Sequence, residues 1–148
     1  MNMSQARRRA RQAAVQAIYQ WQMAQTNIAD IQTQFRDEHA GSKTDLEYFN
    51  RLISDVTSKL SQIDALYTPY VSNKHEDLDP IERAILRLAT CELKFYLDIP
   101  YKVIINEAIN LGKRYGADKS HRFINGVVDK VALDTRQLEI DAQKKNKP

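Results

Sequence analysis

The chain has 148 residues, 43% hydrophobic and 28% charged, the balance of a protein that folds around a core and not of a disordered one. A single cysteine, Cys91, excludes an internal disulfide framework and fits a reducing cytosol, and no apolar run approaches the ~20 residues that span a bilayer. The net charge of +3 is uneven: residues 1–29 hold four arginines and no acid, residues 30–98 have acids in excess by five, and residues 99–148 have bases in excess by four.

Few glycines and prolines interrupt the sequence, and apolar residues recur with the helical period. A first helix is expected over about residues 4–24, with Ala10, Ala14, Ala17, Ile18 and Trp21 on one stripe. The arginines at its start precede no apolar stretch of a secretory signal, so a cytoplasmic protein is expected. Asn27 with Asp30 opens a second helix through Phe35, and residues 39–43, containing Gly41, form a loop. Thr44 and Glu47 read as a capping box for a helix that places Leu46, Phe49, Ile53, Val56 and Leu60 on one face. Ser61 with Asp64 reads as another start, and Pro69 ends or kinks that segment.

Asp79-Pro80-Ile81-Glu82 is the sharpest helix start in the chain: an acceptor at the N-cap, proline in the first turn, then glutamate. Ile81, Ile85, Leu88 and Ala89 face inward from that helix, which stops before Pro100. The next helix carries Val103, Ala108, Leu111 and Tyr115, with Gly116 as a left-handed C-cap. Ser120 opens the last helix, where Phe123, Val127 and Val131 form a stripe; Gly126 costs about 1 kcal/mol there against alanine, which close helix packing would offset. The expected fold is all-α: about seven helices in two packed subdomains, near residues 1–75 and 76–135, then a polar, flexible tail over 136–148 that frays from about Gln143.

No arrangement of residues announces catalysis. His39, His75 and His121 are scattered and form no metal-ligand spacing with Cys91, which reads as a buried apolar group. Gly112 and Gly116 lack the setting of a phosphate loop, no Gly-x-Ser-x-Gly element occurs, and Asp77 and Asp79 sit where caps belong. No enzyme and no cofactor are therefore expected. The first helix offers more. At about 100° per residue, Arg8, Gln12 and Tyr19 lie within about 20° of one line, with Trp21 roughly opposite. Cations there neutralise phosphates, and an exposed ring stacks on an unpaired base. Arg7 and Arg11 repel at i, i+4, a poor design for a merely soluble helix, although a charged surface face remains the other reading. Val15 beside Tyr19 also fits a covered face. Lys113, Arg114, Lys119, Arg122 and Lys130 form a second basic group, equally consistent with phosphate contact and with surface charge.

Four blocks, in order, resemble the NusB family across about residues 5–133: Arg8-Arg9-Ala10-Arg11; Glu82-Arg83-Ala84-Ile85-Leu86-Arg87-Leu88-Ala89 with Glu92-Leu93; Ile99-Pro100-Tyr101-Lys102-Val103-Ile104-Ile105-Asn106-Glu107-Ala108; and Phe123-Ile124-Asn125-Gly126-Val127-Val128-Asp129-Lys130. The resemblance implies a non-enzymatic adaptor of transcription antitermination, a helical bundle in two subdomains. Such a protein binds boxA-type single-stranded RNA in nascent ribosomal RNA leaders as a heterodimer with NusE, a small-subunit ribosomal protein, and works with NusA, NusG and RNA polymerase. Some members form homodimers. Carried over by position, it implies RNA contacts at Arg7, Arg8, Arg11, Tyr19, Lys119, Arg122 and Phe123, and NusE contacts at Glu76, Glu82 and Arg83. Cys91 stands where an aromatic residue is common, Val128 where leucine is common, and Lys119 where an acid or neutral residue often occurs. The fold is also that of an N-terminal domain in ribosomal RNA cytosine methyltransferases, and 148 residues leave no length for their cofactor-binding domain, so methyl transfer is not expected. Two other readings of the residues are a helical protein-interaction module that never touches RNA, its arginines meeting an acidic protein, and a helix-turn-helix protein for duplex DNA, against which stands the spread of basic residues beyond one helix.

Overall fold

Helix α1 (Met3–Ala24) runs along the molecule and packs on α3 and α5 in the computed structural model, which describes residues 3–71 and 78–146. Its inner stripe is mostly alanine: Ala10, Ala13, Ala14 and Ala17 are buried with Val15 and Ile18. Small side chains there let neighbouring backbones approach closely. Helix α2 (Ile28–Glu38) starts on Asn27, whose side chain accepts the Ala29 N–H at 2.8 Å. The loop after it turns at Gly41, where φ is +77°.

Helix α3 (Leu46–Ser58) is capped by Asp45, which accepts the Tyr48 N–H at 3.0 Å. The cap thus falls one residue later than the Thr44–Glu47 pattern indicates. Asp45 also donates its backbone N–H to the Ala6 carbonyl at 3.1 Å, stitching the loop onto α1. Helix α4 (Leu60–Tyr67) follows after Lys59 alone, so Ser61 and Asp64 are not a helix start. Asp64 instead accepts two hydrogen bonds from Arg87, both at 3.0 Å, and one from the Tyr67 hydroxyl at 2.7 Å. A 3₁₀ turn at Thr68–Tyr70 contains Pro69.

Helix α5 (Pro80–Phe95) is the central element. Asp79 caps it as expected, accepting from the N–H groups of Ile81 at 2.7 Å and Glu82 at 3.3 Å. It packs against α1, α3, α4, α6 (Tyr101–Tyr115) and α7 (Ser120–Thr135), which explains why its inner face is buried almost without break from Ala84 to Leu93. Cys91 belongs to that core; burial pushes its thiol up to about 12.

Glycines along α6 and α7 work differently from the sequence expectation. Gly126 is exposed, and a Cβ there would meet nothing within 4 Å, so it marks no close helix approach. That approach occurs at Gly112, where a Cβ would lie 2.9 Å from Ile124 Cδ1 and 3.0 Å from the His121 backbone. Gly116 has φ −81° and is not left-handed; it is required because a Cβ would lie 2.6 Å from that of Ser120. The left-handed residue is Lys119, at φ +70°. Of the apolar residues of α6, Ala108 and Leu111 are buried and Val103 is exposed.

The expected flexible tail carries an eighth helix, α8 (Gln137–Lys145). Its anchor is Arg136, a buried residue whose guanidinium donates to the carbonyls of Leu93 (2.7 Å), Ile99 (2.8 Å), Tyr96 (2.9 Å) and Glu92 (3.2 Å). These carbonyls end α5 or follow it, where acceptors keep capacity for a further donor: those of Glu92 and Tyr96 each take one backbone N–H besides the guanidinium. Glu139 takes the Tyr101 N–H at 2.9 Å, supplying the first turn of α6 with the cap that Pro100 cannot provide. The buried apolar residues of the described helices, from Ala10 to Ile140, form one hydrophobic cluster.

Candidate nucleic-acid interface

Helix α1 divides its arginines between the core and a groove. Arg11 lies on the alanine stripe, at i, i+3 and i+7 with Ala14 and Ile18, and is 3% exposed. Its Nε donates to both Glu92 oxygens at 3.0 Å, and its Nη2 lies 2.9 Å from Oε2. Glu92 is 1% exposed and also accepts from the Tyr48 hydroxyl. Burial first, then the charge of Glu92, holds the Tyr48 phenol far above its usual range, so it remains a donor. Arg11 is thus a core residue, correcting the expectation that it faces RNA: its guanidinium is held by Glu92 and its side chain is only 4% exposed. Arg7 is half-buried, its guanidinium 4.8 Å from the centre of the Tyr48 ring and its Nε without a hydrogen bond.

Arg8, about 60° from Arg11 around the helix, lies beyond the edge of the buried stripe and is exposed. It lines a groove of about 630 Å³ with Gln5, Arg9, Gln12, Ala13 and Gln16 of α1, His39, Ser42 and Thr44 of the α2–α3 loop, and Arg114 and Tyr115 at the end of α6. No described carboxylate lines it. Three arginines and a ring of amides and hydroxyls, with no acid, favour an extended anion carrying polar groups. The Asp45–Ala6 backbone bond and the Gln16–Tyr115 bond (3.1 Å) hold the three walls together.

A second groove, about 480 Å³, adjoins the first through Gln16 and Tyr115. Its walls are mainly apolar: Val15, Tyr19, Met23, Ala24, Phe35 and Ile81, with Glu38 at the edge. Tyr19 and Met23 are 36% and 57% exposed. Arg8 and Tyr19 therefore do share the outer face of α1, as the helical period indicated, but they open into adjoining grooves of different chemistry.

The remaining expected contacts are dispersed. Lys119 and Arg122 are exposed and Phe123 half-buried around the first turn of α7, and none of the three lines either groove. Glu82 is half-buried in the first turn of α5, next to Ile81 of the apolar groove; Arg83 lines a separate notch with Trp21, Leu60 and Arg87; Glu76 lies outside the described residues. Sequence reasoning missed Arg9, His39, Arg114 and Tyr115 as partners in one groove, and Glu92 and Glu107 as the acids that offset two of the arginines. The signal for Arg11 was present, since its spacing to Ala14 and Ile18 is that of the buried stripe. Among the described residues no group of three or more histidine, cysteine or acidic side chains is placed to hold a metal ion, and no helix is long and apolar enough to cross a membrane.

Comparison with known proteins gives a consistent answer. The sequence pattern of the NusB family matches residues 8–133. Transcription antitermination protein NusB of Shewanella pealeana is 50% identical over 125 residues, covering 84% of this chain and 93% of its own. Among solved structures, NusB of T. maritima superposes with a TM-score of 0.81 at 34% identity, over 90% of this chain and 96% of that one. A crystal structure of antitermination factors NusB and NusE in complex with double-stranded RNA superposes with a TM-score of 0.79 at 25% identity, over 89% and 99%.

Proposed function

This chain belongs to the NusB family, whose members are transcription antitermination proteins, and from that premise we propose that it binds boxA-type single-stranded RNA of nascent ribosomal RNA together with NusE. The observation that carries the reading is the acid-free groove holding Arg8, Arg9 and Arg114. RNA phosphates follow those cations, while the Tyr115 ring beside them offers a surface for an unpaired base. NusE takes the adjoining apolar groove, where Tyr19, Met23 and Ile81 supply the water-excluded contact and Glu82 an acidic neighbour for a basic protein. Tyr19 is in this reading a protein contact at the edge of the RNA path. Lys119 and Arg122 add phosphate contacts beyond the groove, and NusA, NusG and RNA polymerase complete the larger assembly.

The test is a titration of labelled boxA RNA with and without NusE, against scrambled RNA, over a range of salt. Binding is expected to tighten with NusE, to prefer boxA, and to weaken with log salt at a slope near −2 from the three groove arginines alone. Replacing Arg8 and Arg9 with glutamate should abolish RNA binding and spare NusE binding. Equal binding of scrambled RNA with no effect of NusE overturns the reading. RNA binding untouched by those replacements leaves a protein-interaction module, which the apolar groove alone would serve.

A further inference from the structure

Arg8 lines the basic groove, yet its guanidinium is already held. Its Nε donates to the two Glu107 oxygens at 3.2 and 3.3 Å, and its Nη2 donates to Oε1 at 3.0 Å. Glu107 comes from α6, is 8% exposed, and lines the notch with Arg7 and Arg11 and not the groove that holds Arg9 and Arg114. The pair engages the Nε–Nη2 edge of the guanidinium and leaves Nη1 outside it. A guanidinium is a rigid planar fork, so fixing one edge fixes the direction of the other donors.

We propose that Glu107 is a positioning residue for RNA: its carboxylate grips Arg8 from behind and presents the free edge of the fork to a phosphate already ordered. This rests on the reading of the basic groove as the RNA site. Two effects oppose each other here. A carboxylate close to a phosphate repels it, but Glu107 is neutralised by Arg8 and sits beside buried Arg11, and across a water-filled groove the residual repulsion decays over about 8 Å at physiological salt. The cost of ordering a long, half-exposed arginine is not screened by salt, and Glu107 removes it before RNA arrives. Competition between carboxylate and phosphate for the same edge is disfavoured by burial, since the phosphate stays in the solvent-filled groove.

The two effects predict opposite signs, which makes the proposal testable with boxA RNA and NusE at physiological salt. Glu107→Ala should weaken RNA binding about two- to tenfold, the range for ordering one long side chain, and Glu107→Gln by less because it keeps an acceptor. In an Arg8→Ala background the same substitutions should leave binding unchanged or tighten it, as a double-mutant cycle would reveal. Arg8→Lys, which keeps the charge at a half-exposed position but cannot be gripped along an edge, should lose about as much as Glu107→Ala. Unchanged or tighter binding by both Glu107 variants, or an equal loss without Arg8, overturns the positioning role. If Arg8→Ala itself leaves RNA binding intact, the groove reading falls and this one with it; if Arg8→Ala weakens binding and Glu107 variants do not, only this one falls.

Discussion

Arg8 and Arg11 stand three residues apart on one helix, about 60° from each other, and their fates differ because Arg11 falls on the buried stripe with Ala14 and Ile18 while Arg8 falls at its edge. Arg11 enters the core with a side chain 4% exposed and meets Glu92 at 1%; Arg8 remains 50% exposed and meets Glu107 at 10%. In the core a lone charge is intolerable, so the pair, with the Tyr48 hydroxyl, acts as one unit that ties α1 to α3 and α5. At the surface an ion pair contributes only ~0–1 kcal/mol, and its cation stays available to a ligand. The lesson is that a run of arginines is not a single feature. Arg11 holds the fold, Arg7 lies half-buried against Tyr48, and Arg8 and Arg9 line the groove.

Breaking the inner pair should have the largest effect. Arg11→Met leaves Glu92 buried without its cation and should lose about 3–5 kcal/mol of stability, read as a lower urea midpoint at unchanged slope. A loss under about 1 kcal/mol would mean that Arg11 is as exposed as Arg8. Tyr48→Phe removes one hydrogen bond to the same buried carboxylate and should lose about 1.5–3 kcal/mol in thermal unfolding. On the outer side the signature reverses. Arg9→Gln and Arg114→Gln should each change stability by less than about 0.5 kcal/mol, while each makes the salt dependence of RNA binding shallower by about 0.7.

Asp55 offers the mildest test, since it lies between the two extremes. Partial burial alone would raise its carboxyl, but hydrogen bonds from Lys59 and Tyr96 outweigh this and hold it below the usual aspartate range. A lowered folded-state value means that stability is present above the unfolded value and is lost as pH falls through the folded one. Asp55→Asn should therefore be less stable than the parent at neutral pH, and the two unfolding curves should converge in acid. Parallel curves at every pH would show that Asp55 is no more engaged than an ordinary surface acid.

What could be read along the chain was local. The helical period, the Asp79-Pro80 start and the Asn27 cap depend on neighbours within a few residues, and each stands where the spacing placed it. The family was legible from four short blocks for the same reason, and its pattern covers residues 8–133. Tertiary structure alone decided which partner each polar group would meet. Glu92 finds Arg11 from 81 residues away and Glu107 finds Arg8 from 99. His39 joins Arg9 and Arg114 only because a loop is stitched to α1. The tail became α8 because Arg136 found a cluster of carbonyls at the end of α5, and Gly126 proved open while Gly112 carried the close approach. Period and capping are properties of a chain segment. Charge pairing, closeness and burial belong to the space between segments, which only the folded molecule defines.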